Sequence, residues 1–282
     1  MVHFLRTQFI IALLAASRNP QASHSSGSNS VGAKVRPGVL VLAQTDVGCQ
    51  RENNEDCFGY WEPEDDEEFS RKGRLAIVAD GMGGYEGGQE ASRIAVESVI
   101  SFYRDFKGKE AQQALVEAMQ SAHRQIREQA AARPEFAGMG TTCTGLVIVQ
   151  QSLYYAHVGD TRLYLIRDGE MAQLTRDHSY VGRLVESGLL SREEAEQHPQ
   201  RNILTAAMGT GIELVLDSPG QPEALRAGDR IVLCTDGLWG QVRDPEILEV
   251  VTNQKQPVDE LIRLARERGG PDNITVLMLR VE

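Results

Sequence analysis

Five aspartates stand where their surroundings could support chemistry, each beside an apolar run. Asp80 follows LAIVA and opens the turn Gly81-Met82-Gly83-Gly84, Asp236 follows IVLCT and precedes Gly237, and Asp160 follows YYAHVG. Asp56 and Asp272 stand on the other side of their runs, before CFGYW and NITVLML. If the runs are antiparallel strands, the end of one lies beside the start of its neighbour, and all of these carboxylates can gather on one rim. Gathered anions repel unless cations sit between them. Ligands made only of oxygen, without His or Cys, select hard ions, which implies Mg²⁺ or Mn²⁺ rather than Zn²⁺. Two such ions sharing a carboxylate form the arrangement that hydrolyses phosphate esters. The competing reading is a plain turn. It wins at Asp168-Gly169, where strand-like sequence continues on both sides. Around Asp80 the stretch GMGGYEGG holds more glycine than a hairpin needs, and close approach of the backbone to an ion accounts for it.

The elements that must position these residues follow from periodicity. Apolar spacing of three and four predicts helices over 86–105, 109–132 and 179–197, the last restarting at a Ser191/Glu194 capping box. Two more run over 244–252, opened by Asp244-Pro245, and 257–268, closed by Gly269-Gly270-Pro271. Strand patterns cover 39–45, 57–61, 74–79, 143–150, 153–158, 162–167, 171–174, 230–235 and 274–281. Few strands are joined by single helices, so antiparallel sheets with helices packed outside them are expected.

With 282 residues, 41% hydrophobic and 24% charged, the chain is an ordinary globular protein rather than a disordered one. Lys+Arg 29 against Asp+Glu 40 leaves a net charge of -11, which argues against nucleic acid as a partner. The cysteines Cys49, Cys57, Cys143 and Cys234 form no C-x-x-C pair and read as free, buried thiols of a reducing compartment. Residues 17–37 are rich in Ser, Gly and Asn, and the apolar run Phe9 to Ala16 is too short to span a membrane. Residues 1–37 are therefore expected to be a disordered extension and linker before a folded domain at 38–282.

The motifs carry a resemblance. DVGCQRENNED (Asp46 to Asp56), VADGMGG, MGTT, HVGDTR, CTDGLWG and GGPDNITVLML occur in that order, and together resemble the metal-dependent protein phosphatases of type 2C, bacterial branch. Residues 174–209 are similar to that branch's flap beside the catalytic cleft. The resemblance implies an α+β fold, a four-layer αββα sandwich of two antiparallel sheets flanked by helices, with a flap at about 175–209. It implies a serine/threonine phosphatase in which water held by two metal ions attacks phosphorus directly. By motif position Asp80 would bridge two ions, the Gly81 carbonyl would bind one, and Asp236 and Asp272 would complete the pair. Asp56 would bind directly or through water, and Asp160 would hold a third, weaker ion with Asp236. Arg51 would clamp the phosphoryl oxygens, a role that suits its planar fork. Asn273 is expected to position a ligand or hydroxide, His178 to be a surface-loop residue, and Trp239 to cap the core.

Two positions depart from the family pattern: Tyr85 stands where many bacterial relatives carry His, and Ala206 where they carry Arg. Tyr is a reluctant acid near neutral pH. The leaving group's proton is then expected from water in the site or another acid, with Tyr85 packing against substrate. The partners implied are phosphorylated proteins and a bacterial Ser/Thr kinase, for a cytoplasmic monomer without a membrane span. A catalytically weak pseudo-phosphatase that binds phosphoproteins is the alternative. A two-metal nuclease is opposed by the negative charge.

Overall fold

The computed structural model describes residues 29–34, 36, 38–83, 86–108, 110–211 and 214–282. Most of the expected extension, Gly84 and Tyr85 lie outside the described residues.

The strands are β1 (Asn29–Lys34), β2 (Val39–Asp46), β3 (Asp56–Trp61), β4 (Arg74–Met82), β5 (Gly140–Thr141), β6 (Cys143–Val149), β7 (Ser152–Val158), β8 (Arg162–Arg167), β9 (Glu170–Gln173), β10 (Glu223–Ala224), β11 (Arg230–Cys234) and β12 (Ile274–Val281). They form two antiparallel sheets. The first has the order β1-β2-β12-β11-β8-β9; the second runs β10-β7-β6-β4-β3, with β5 paired to the end of β4. The helices are α1 (Asp66–Lys72), α2 (Gly87–Asp105), α3 (Ala111–Ala132), α4 (Tyr180–Glu186), α5 (Arg192–Glu196), α6 (Asp236–Trp239), α7 (Asp244–Asn253) and α8 (Pro257–Glu267).

Uninterrupted apolar runs mark strands covered on both faces. In β4, Leu75, Ile77 and Ala79 point into the core under α2 and α3, while Ala76 and Val78 point between the sheets. In β12, Leu277 and Leu279 face the other sheet, and Ile274, Val276 and Met278 face α7 and α8. The period of two thus sorts each run into two of three cores, and the layers are αββα. Among the described residues, no helix is long and apolar enough to cross a membrane.

Four details differ from the sequence reading. Asn29–Lys34, inside the stretch read as linker, pairs with β2 from Asn29↔Thr45 to Lys34↔Leu40. Helix α1 arises in an acidic stretch without apolar periodicity, started by the Asp65 carboxylate, which accepts from the Glu68 N–H. The helix expected over 179–197 is two short ones, α4 and α5, split at Gly188 (φ 70°), with α5 begun by the anticipated capping box. Cys49 is exposed, whereas the other three cysteines are buried; none of the four is in a disulfide.

Candidate active site

The site lies where the two sheets meet along one rim. Asp56 opens β3 directly opposite Asp80 of β4. Asp236 begins α6 immediately after β11, Asp272 precedes β12, and Asp160 sits in the turn between β7 and β8. Asp80, Gly81, Asp160, Asp236 and Asp272 line a cavity of about 570 Å³ together with Arg51, Glu55 and the flap residues Leu204 to Ala207. Asp56 lies behind them, buried.

Hydrogen bonds fix the Asp56 carboxylate from the opposite sheet. Asp56 Oδ2 accepts from Thr235 Oγ1 at 2.9 Å and Thr275 Oγ1 at 2.7 Å, both on strand ends of the first sheet. The main chain of Asp80 is held by Thr142: its N–H donates to Thr142 Oγ1 at 3.1 Å, and its carbonyl accepts the Thr142 N–H at 2.8 Å. Glycine enters for packing reasons. A Cβ on Gly81 would lie 2.1 Å from the Gly88 carbonyl oxygen and 2.6 Å from that of Glu55. A Cβ on Gly237 would lie 1.9 Å from the Asn273 carbonyl oxygen. The glycine after Asp80 therefore admits the start of α2 rather than answering only to an ion, which corrects the sequence-level account.

The carboxylates perturb one another. Burial, followed by the charges of Asp56, Asp236, Asp160 and Asp272, pushes Asp80 well above the ordinary carboxylate range. Burial pushes Asp56 up to about 8, against the pull of its two threonine bonds. Burial and Asp272 raise Asp236 to about 6, and burial and Asp236 raise Asp160. Among the described residues no three His, Cys, Asp or Glu side chains close on a single point as they stand. The donor chemistry nonetheless suits a hard cation. The ligands are oxygen only, they repel one another, and the buried Oδ1 atoms of Asp56 and Asp236 have no hydrogen-bond partner.

Arg51 stands at the cavity mouth, half exposed, with Nη2 2.7 Å from Asp272 Oδ2. The side-chain amide of Asn273 is fully engaged with the protein. Oδ1 accepts from the Glu55 N–H at 2.8 Å, and Nδ2 donates to the carbonyls of Val47 and Asn53, both at 2.9 Å. It clamps the loop that carries Arg51 and Glu55, while its main-chain N–H donates to Asp272 Oδ1 at 2.8 Å. His178 is largely buried rather than on the surface, with Nε2 3.3 Å from Asp217 and its ring 4.9 Å from that of His157. Glu55 was not singled out by the sequence reading, yet it lines the cavity, and burial raises its carboxyl while Arg51 lowers it. Its place directly before Asp56 was the available signal.

The protein phosphatase 2C family model matches residues 52–276. The chain belongs to that family. It is similar to the serine/threonine protein phosphatase PstP of Mycobacterium tuberculosis, 38% identical over 251 residues that cover 88% of this chain and 46% of that protein. The chain thus spans about half the length of that relative. Protein phosphatase PhpP of Streptococcus pneumoniae is 37% identical over 246 residues, covering 83% of this chain and 94% of that one. Among solved structures, the catalytic domain of PstP in complex with two manganese ions matches with a TM-score of 0.73 at 34% identity, over 86% of this chain and 98% of that one. The family and the manganese-bound PstP structure support dependence on a divalent metal.

Proposed function

We propose that the chain removes phosphate from phosphoserine and phosphothreonine residues of proteins, using Mn²⁺ or Mg²⁺. One observation carries the reading. Closing the sandwich sets Asp56 and Asp80 of one sheet against Asp236 and Asp272 of the other, with two buried carboxylate oxygens left without partners, beside an arginine on the same cavity. Asp80, Asp236, Asp272 and the Gly81 carbonyl would hold two ions, Asp56 would join directly or through water, and Asp160 with Asp236 would hold a third, weaker one. Bound there, such ions lower the pKa of a water and draw charge from the phosphoryl oxygens.

The chain's own residues supply the rest. Arg51 presents a fork at the mouth that can turn from Asp272 to two phosphoryl oxygens. Asn273 keeps its loop seated, and Thr235 and Thr275 hold Asp56 Oδ2 so that Oδ1 is the oxygen left to act. A seryl or threonyl oxygen needs a proton as it leaves. We assign that proton to water in the site or another acid, and packing against substrate to Tyr85. Ala206 offers a methyl group to the cavity wall. The natural partners are phosphoproteins and the kinase that makes them, for a monomer acting in the cytoplasm; the free cysteines suit a reducing compartment.

The test is release of phosphate from a phosphothreonine peptide with Mn²⁺, Mg²⁺ or EDTA, using Asp80→Asn as control. Metal-dependent turnover absent from the control supports the reading. Peptide binding without turnover under every metal condition favours the binding module instead.

A further inference from the structure

Trp239 is not absorbed by this chemistry, although it shares the one-turn helix α6 with Asp236. Residues three apart on a helix are neighbours on its surface, so whatever holds Trp239 also holds Asp236. The indole Nε1–H donates to the main-chain carbonyl of Asp160 at 3.0 Å. The ring itself cannot swing, because the Arg162 guanidinium lies over it at 3.8 Å from the centroid. That guanidinium is fixed by Asp177, with Nη2 2.7 Å and Nε 3.1 Å from its two carboxylate oxygens, and by Tyr164 Oη at 3.1 Å. Tyr164 in turn donates to Asp244 at 3.0 Å.

The turn bearing Asp160 is held from its other side too. The Gly159 N–H donates to His178 Nδ1 at 3.3 Å, and the Gly159 carbonyl accepts the His178 N–H at 2.6 Å. Asp177 and His178 open the flap, so its root, the Asp160 turn and α6 form one braced unit. Behind the brace lies a second cavity of about 400 Å³, walled in part by Arg162, Asp177 and Trp239.

We infer that Trp239 is a positioning residue: its indole N–H sets the spacing between Asp160 and Asp236, and with it the affinity of the third, weakest cation. The inference rests on the proposed third-ion role of Asp160. A residue that merely capped the core would need the ring but not the N–H.

Trp239→Phe keeps a ring under Arg162 and removes the donor. In calorimetric Mn²⁺ titration the weakest site should bind roughly fivefold to tenfold more weakly, the effect of one hydrogen bond, with the tighter sites unchanged. The metal-free melting temperature should stay close to the parent's. Titration indistinguishable from the parent overturns the inference, as does equal weakening of every site with a large drop in melting temperature. Asp160→Asn is the control. If it removes the weakest site while Trp239→Phe changes nothing, only the role of Trp239 fails; if it removes no site, the third-ion reading fails and this inference goes with it. A measurement on the unmutated chain covers the case of a variant that does not fold. The protein has two tryptophans, Trp61 and Trp239. In 5-fluorotryptophan-labelled protein, assigned with Trp61→Phe, the Trp239 fluorine resonance should move at the Mg²⁺ concentration at which a parallel calorimetric Mg²⁺ titration fills the weakest site. A resonance that does not respond at that step counts against the inference.

Discussion

Replacing Asp80 by Asn should abolish turnover and, without metal, make the protein more stable. Asp80 lies directly opposite Asp56 in the β3–β4 register, and directly opposed Cβ atoms lie ~5 Å apart. At that distance and an effective dielectric constant of ~20, two carboxylates repel by about 3 kcal/mol. Asp236, Asp160 and Asp272 add to the load on Asp80. The metal-free protein escapes part of this by keeping protons on the rim, so roughly 1–2 kcal/mol should be recoverable by deleting one charge. For a chain of this size that is a rise of about 2–8 °C in melting temperature. The assay is a thermal melt in EDTA at pH 8, repeated with excess MnCl₂, beside phosphopeptide hydrolysis. The parent should gain stability from Mn²⁺ and the variant little, crossing over in rank, while activity falls at least about a hundredfold. A variant that melts below the parent in EDTA, or that keeps its activity, refutes the assignment of Asp80 as a ligand held against repulsion.

The pH dependence of metal-free stability supplies a second prediction. Asp56 ionises near 3.8 when unfolded and near 8 when folded, so the folded state holds the extra proton between those values. Its contribution is complete below about pH 4 and drains away as pH rises towards 8. His157, held down to about 4 by burial, works in the opposite direction below its ordinary 6.5. The parent minus Asp56→Asn difference in melting temperature is therefore the quantity to measure, and it should fall steadily from pH 5 to 8; a flat or rising difference contradicts the burial argument. Arg51→Ala should raise KM and lower kcat, together costing roughly tenfold to a hundredfold in kcat/KM, with Arg51→Lys recovering only part. Unchanged KM with a greater Mn²⁺ requirement would mean that Arg51 serves the metal site. Asn273→Ala removes three bonds to the Arg51 loop, about 3 kcal/mol. It should lower the melting temperature with or without metal, whereas a residue that only touched ligand would leave the metal-free melt unchanged.

The sheets and the rim are legible because β4, β11 and β12 are apolar runs that adjoin Asp80, Asp236 and Asp272. Asp56 and Asp80 were expected to meet on chain direction alone, and the register puts them directly opposite. What escaped notice depends on partners far away in sequence. Strand β1 is held by main-chain pairing to β2, a contact with residues some ten positions further on that no local period announces. Helix α1 has Phe69 as its apolar anchor, flanked by the guanidinium groups of Arg36 and Arg74 at 4.6 and 4.7 Å, contacts that no local period announces. The clamp made by Asn273 is invisible in the sequence because its three partners lie in a loop near the other end of the chain.

The threonines explain why the site and the sandwich cannot be separated. Thr235 follows β11 of the first sheet, Thr275 lies in β12, and both donate to a carboxylate that belongs to the second sheet. The Thr275 main-chain N–H donates to Thr235 Oγ1 at 3.0 Å, so the hydroxyl that serves Asp56 is itself oriented by the neighbouring strand. The two sheets are thus fastened at this rim through one side of Asp56, and the fastening turns its other oxygen into a buried acceptor without a donor. Packing the apolar faces together draws the carboxylates of both sheets onto one edge, and the hydrophobic gain across three cores is large enough to hold them there. A cation bound at this rim would meet oxygens that folding has already brought to one edge, so less ordering would remain to oppose its binding. The repulsion then belongs to the metal-free state, so replacing Asp80 should strengthen the fold while it ends the chemistry.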